Sequence, residues 1–175
     1  MTGEEDFKSI FDVERFFDLS EVSFRDLFYG IEHVWEALSR RDVYIQDRLR
    51  PNSQKIEARG FYTEGDVYVG EGTVIEPGAY IKGPTIIGNN CQIRNGAYIR
   101  GNVIVGDHCV IGHTTEVIRS IILNRVRADH FAYIGDSILG NNCLLGLASS
   151  LPMSRYGRIP LLRKSGSMAA SMIRG

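Results

Sequence analysis

From Val69 to Val117 an aliphatic residue returns at every sixth position: Val69, Ile75, Ile81, Ile87, Ile93, Ile99, Val105, Ile111 and Val117. A period of six fits neither the turn of an α-helix nor the alternation of an ordinary strand. It is the mark of a hexapeptide-repeat β-helix, in which six residues make one wall of a triangular coil. Two residues before each aliphatic position stands a small or compact one: Val67, Thr73, Ala79, Thr85, Cys91, Ala97, Val103, Cys109 and Thr115. Strand residues two apart share a face, so both columns point inward. The residue between them points out: Tyr68, Val74, Tyr80, Ile86, Gln92, Tyr98, Ile104, Val110 and Glu116. Three residues after the aliphatic position come Gly72, Gly78, Pro84, Asn90, Gly96 and Asn102. Gly and Asn tolerate the positive φ that a tight corner needs.

Beyond Val117 the steps become five and six, through Ile122, Ala128, Ile134, Leu139 and Leu145. Short steps predict a bulge or a shortened corner. The solenoid is expected over residues 61–146. Residues 1–60 lack the hexad. There, Phe24, Leu27, Phe28, Ile31, Val34, Trp35 and Leu38 follow helical spacing, with Ser20 or Ser23 as candidate caps and a break at Pro51 and Asn52. This segment reads as a helical cap or arm packed on the first coil, since a solenoid needs its open end covered. An oligomer contact is the alternative use of the same apolar stripe. Residues 147–175 lose the repeat and read as an irregular tail, which leaves the last coil unpaired.

The chain has 175 residues and a formal net charge of −1, so no basic field points to nucleic acid. No run approaches the roughly 18 apolar residues of a membrane span. The first ten residues, MTGEEDFKSI, are acidic and carry no hydrophobic signal region. A cytoplasmic protein is expected. Cys91 and Cys109 both fall in the small inward column and should stack on adjacent coils as compact core residues. With Cys143 they form no CxxC and no zinc-type pairing, and no metal is expected.

Three segments resemble a known family: IRNGAYIRG (93–101), GHTTEVIRS (112–120) and DHFAYIGDSILGNN (129–142). Through them, residues 83–146 are similar to the acetyltransferase half of the bifunctional N-acetylglucosamine-1-phosphate uridyltransferases and glucosamine-1-phosphate acetyltransferases. The resemblance implies a left-handed parallel β-helix, an all-β solenoid here carrying a helical N-terminal segment and an irregular C-terminal tail. It also implies a homotrimer with sites between subunits. The implied reaction moves acetyl from acetyl-CoA, as co-substrate, to the amine of an amino-sugar phosphate of the glucosamine-1-phosphate type. The product would serve UDP-N-acetylglucosamine biosynthesis.

Amide formation from a thioester needs a deprotonated amine, and a neutral imidazole accepts such a proton near pH 7. His130 matches the family's general base. Arg94 matches the arginine that grips the phosphate, a task suited to a guanidinium fork. Tyr133 matches a tyrosine contacting the sugar phosphate, and Glu116 a glutamate near the sugar. Asp136 matches a structural Gly-Asp corner. No residue is assigned to CoA.

The sequence also departs from the family. Its phosphate-binding lysine falls at Ile118, with Arg119 adjacent but projecting differently. Leu144 replaces an asparagine, and LLGLASS (144–150) replaces a Gly-Ala-Gly-Thr step. The later coils that bind acetyl-CoA are expected to be absent. The break is abrupt, and back-translating the tail with chosen synonymous codons gives a neighbouring frame that resembles the family's continuation. The coding DNA across Cys143 to Leu147 decides whether the tail is out of frame. Two readings stay open. One is an acetyltransferase, or an inactive remnant of one. The other is a non-catalytic β-helix that trimerises or regulates a partner sugar-phosphate nucleotidylyltransferase. A zinc site of His108, His113 and His130 is a third arrangement, against which the turn position of His108 argues.

Overall fold

A computed structural model describes residues 11–51 and 60–147, with the backbone of 150–151, 162–164 and 167–171. The hexads wind into a left-handed parallel β-helix with three flat walls. Face A stacks Tyr62–Glu64, Tyr80–Lys82, Tyr98–Arg100, Glu116–Ile118, Tyr133–Gly135 and Ser150–Leu151. Face B stacks Val67–Val69, Thr85–Ile87, Val103–Val105, Ile121–Ile122 and Ser137–Leu139. Face C stacks Val74–Ile75, Gln92–Ile93, Val110–His113, Arg127–His130 and Leu144–Leu145. Every pairing between successive coils is parallel and in register, so Ile81 lies beside Ile99 and Ile87 beside Val105.

Both inward columns fill the axis. Ile81, Ile87, Ile93, Ile99, Ile111, Val117, Ile122 and Ile134 are fully buried. Each contributes about 1.5–3 kcal/mol by leaving water. Cys91 and Cys109 stack as expected, with the Cys109 N–H donating to Cys91 Sγ at 3.4 Å.

The corners follow the expected pattern at Gly72, Gly78, Asn90, Gly96 and Asn102, all at positive φ. Pro84 is the exception and follows a cis peptide bond. The five-residue steps are shortened corners. Between faces A and B the third coil turns on Gly101 and Asn102, at φ 92° and 51°, whereas the fourth turns on Arg119 alone, at φ 44°. Arg119 is held there by Asp136, the corner residue of the next coil, through Nε and Nη2 at 2.7 Å each.

The N-terminal segment is helical as expected, but its elements fall elsewhere than the apolar spacing placed them. Its helices are α1 (Val13–Phe16) and α2 (Glu36–Arg48), with a 3-10 turn at Arg25–Phe28. The apolar spacing from Phe24 to Leu38 does not form one helix, because the chain turns at Gly30 with φ 66°. Neither Ser20 nor Ser23 caps a helix; the residues at the cap positions, Phe24 and Trp35, make no side-chain cap bond. Nor do its described residues close the first coil. It lies along face B, where Phe24, Leu27, Phe28 and Ile45 share one buried cluster with Ile104, Ile121, Leu123 and Ile138. The outward column of face B is apolar because it is a packing surface for the chain's own N-terminal part.

A polar ladder at the corner between faces B and C ties the two parts together. Asn89, Asp107, Asn124 and Asn141 each place a side-chain oxygen on a backbone N–H one coil earlier, at 2.7–2.9 Å. At the last two rungs the amide nitrogen reaches outward as well. Asn124 Nδ2 donates to the Glu21 carbonyl at 2.8 Å, and Asn141 Nδ2 donates to the Asp18 carbonyl. A carboxylate has no N–H to give, which accounts for Asn rather than Asp where the N-terminal segment lies. Asn124→Leu strips the half-buried Asp107 N–H and the Glu21 carbonyl of their partners. Chemical denaturation should show a loss of about 1–3 kcal/mol. Asn124→Asp, which keeps the acceptor, should lose less.

Ser167–Ser171 pairs antiparallel with Ser137–Leu139 and with Leu162–Lys164, so the last coil does not end as a bare edge on face B. The remainder of the tail, including most of the stretch raised for a shifted frame, lies outside the described residues. Among the described residues no helix is long and apolar enough to cross a membrane.

Candidate functional site at the edge between faces C and A

The segment DHFAYIGD wraps the edge where face C turns into face A. Asp129 and His130 end a strand of face C, Phe131 makes the corner at φ 50°, and Tyr133 opens the next strand of face A. The corner one coil earlier repeats the arrangement, with His113 at the strand end and Thr114 at φ 53°. Left-handed backbone is uncommon in bulky or β-branched residues, and such positions concentrate at functional sites. Here two of them lie next to two histidines.

On face A, Glu116 and Tyr133 are register partners on adjacent coils, and Tyr98 precedes Glu116 in the same outward column. Two of the predicted site residues are thus brought side by side. Gly135 leaves room for Tyr133, because a Cβ there would stand 2.7 Å from the phenolic oxygen. Glu116 also accepts from Arg100 Nη1 at 2.6 Å. His130 is around the corner and exposed. Its imidazole makes no hydrogen bond to any described residue.

Arg94 stands apart from Glu116 and Tyr133. It follows the face C strand Gln92–Ile93, where its guanidinium lies 3.4 Å from Asp129 Oδ1 and 3.2 Å from the Gln92 side-chain oxygen. Asp129 also accepts from Arg127 at 2.9 Å. Asp136 is a corner residue paired with Arg119, the structural role expected of it. Ile118 is buried and offers no charge in place of a lysine, while Leu144 is 66% exposed on face C.

His113 plays a part the sequence did not disclose. It is the register partner of His130 on the preceding coil. Its Nδ1 lies 2.8 Å from the Asn95 carbonyl, which can only accept, so that nitrogen carries a proton. The His113 ring meets Phe131 edge-on at 5.4 Å, and the Phe131 N–H donates to the His113 carbonyl at 2.9 Å. His113 therefore braces the corner that aims His130. The signal was present: the two histidines are one shortened coil apart. His108 sits at a different edge, between faces B and C, at φ 58°. Among the described residues, no three of His, Cys, Asp and Glu are grouped to hold a metal ion.

Cavities of about 840 and 410 Å³ lie within the N-terminal segment and between that segment and face B. Neither includes Arg94, Glu116, His130 or Tyr133.

Comparison with known proteins bears on that edge. The chain is 39% identical over 144 residues to "Bifunctional protein GlmU" of Methanococcus maripaludis strain S2, covering 82% of this chain and 35% of that protein. It is 50% identical over 132 residues to the protein of the same description in strain C7, covering 75% and 32%. The solenoid resembles the acetyltransferase half of GlmU. This chain spans about a third of the length of the GlmU proteins it matches. Residues 81–153 match the family described as "GMPPB C-terminal domain". They contain the whole GlmU-like edge, from Arg94 to Tyr133. A solved structure, the "Acetyltransferase domain of PglB from Neisseria gonorrhoeae FA1090 in complex with acetyl coenzyme A", aligns with 49% of this chain and 53% of that chain. Its sequence identity is 17% and its TM-score 0.28, too loose a superposition to argue from.

Proposed function

We propose that the chain is an acetyltransferase module acting on an amino-sugar phosphate of the glucosamine-1-phosphate type, with acetyl-CoA as the acyl donor. The observation that carries this reading is the wrapping of DHFAYIGD around one edge. It places an exposed imidazole, His130, three residues before Tyr133, whose neighbour is Glu116. The substrate amine attacks the thioester carbonyl, the C–S bond breaks, and His130 takes the ammonium proton. Coenzyme A leaves as thiolate and is protonated on release. Glu116 and Tyr133 orient the sugar by hydrogen bonds. Arg94 would meet the phosphate after leaving Asp129, and an open edge becomes a closed site when a second subunit faces it. A homotrimer supplies that subunit.

A second reading is favoured by two observations. The position that would carry a lysine is the buried Ile118, and Leu144 is exposed where the GlmU-like pattern has an asparagine. Both suit a solenoid that trimerises, or that regulates a partner sugar-phosphate nucleotidylyltransferase, without catalysing transfer. Incubation with glucosamine-1-phosphate and acetyl-CoA, read by thiol release, separates the two. The acetyltransferase reading expects release that requires both substrates. Absence of release, together with capture of a nucleotidylyltransferase, supports the regulatory one.

A further inference from the structure

Two cations on face A stand in register where electrostatics would keep them apart. Lys82 and Arg100 are direct partners on adjacent coils, one strand spacing or about 4.8 Å between backbones. Like charges placed opposite each other destabilise a sheet. Each side chain leans towards an acid on its far side. Lys82 Nζ lies 3.2 Å from Glu64 Oε2, and Arg100 Nη1 lies 2.6 Å from Glu116 Oε1. Most of their N–H donors are left over: a lysine has three and an arginine five.

Beside the cations run two tyrosine rings, Tyr80 and Tyr98, stacked at 5.5 Å and 19°. Lys82 lies 5.4 Å over the first and Arg100 5.8 Å over the second. The Tyr80 hydroxyl is engaged with Glu64. The Tyr98 hydroxyl has no hydrogen-bond partner among the described residues. The hydrogen bond it donates to Glu64 holds the Lys82 ammonium above the usual lysine range, so it stays charged.

We propose that Lys82, Arg100 and the Tyr98 hydroxyl form a binding site for a phosphate monoester borne on a sugar ring. An anion between the two cations removes their repulsion. The guanidinium supplies a fork and the ammonium a point charge. The half-buried Tyr80–Tyr98 stack supplies apolar surface beside the cations for the ring. This place is distinct from Arg94, which belongs to face C, and it does not require His130 to be a base.

Isothermal titration of the whole chain tests the site with three probes: glucosamine-1-phosphate, inorganic phosphate and glucosamine. The wild-type protein should bind the first most tightly, the second more weakly and the third not at all. Lys82→Met and Arg100→Met should each weaken phosphate binding about tenfold, and Arg100→Lys should weaken it less. Tyr98→Leu should erase the preference for the sugar phosphate over free phosphate. Circular dichroism of each variant checks that the solenoid is retained. Titration reads binding without turnover, so failure of the acetyltransferase reading and failure of this site are read separately. Equal affinities in wild type and both methionine variants overturn the proposal, as does a wild-type chain that ignores phosphate at millimolar concentration.

Discussion

His130→Ala should abolish acetyl transfer without unfolding the protein. The imidazole is exposed and hydrogen-bonds no described residue, so its loss removes no packing and strands no buried partner. Melting should therefore stay at the wild-type temperature. The rate should fall by about 10²–10⁴, the contribution of a positioned general base. His113→Asn is the companion variant. The asparagine amide can still donate to the Asn95 carbonyl, so the corner should hold and transfer should survive in large part. A His130→Ala enzyme that turns over at the wild-type rate removes His130 from the mechanism. Comparable losses in both variants would instead mean that the shape of the edge matters more than its base.

The second large effect is on stability and comes from Gly112. This residue faces Asp129 on the next coil, and a Cβ added there would sit on the Asp129 carbonyl with the Asp129 Cα only 2.6 Å away. Both sides of that contact are backbone, so no flexible side chain can give way. Gly112→Ala must force the third and fourth coils apart or break their register. We expect a loss of about 3 kcal/mol or more, at the upper end of overpacking costs. The midpoint of urea denaturation measures it. The same substitution should lower acetyl transfer beyond its effect on folding, because Asp129 anchors Arg94 and Arg127 and directly precedes His130. An unchanged midpoint would mean that the coil spacing adapts, contrary to the in-register pairing along face C.

The periodic part of the molecule was readable from the chain. Inward positions such as Ala79, Cys91, Ile93 and Ile99 are nearly or fully buried, because one rule of side-chain alternation applies to every coil. The shortened corners were readable as five-residue steps, though only the backbone showed them to be a single residue, Arg119, replacing the Gly101–Asn102 pair. The helical character of the N-terminal segment was readable, but helical spacing of apolar residues states that a face will be buried, not what will bury it. The answer was in the outward column of face B, where Tyr68, Ile86, Ile104, Ile121 and Ile138 repeat an apolar choice once per coil. At the candidate site, Glu116 and Tyr133 were recognised from a motif, and the register places them together. Arg94 was recognised in the same way, yet face C holds it away from them. Lys82 and Arg100 escaped notice, and His113 was weighed only as a zinc ligand, because their meaning lies in which neighbour each meets on the next coil.

One wall of this prism is already sheathed by the protein's own residues 11–51. The other two walls meet at the ridge bearing His113, Phe131 and His130. A further copy of the chain can approach that ridge or its flanks but cannot settle on the sheathed side. The N-terminal arm thereby gives the solenoid a front and a back.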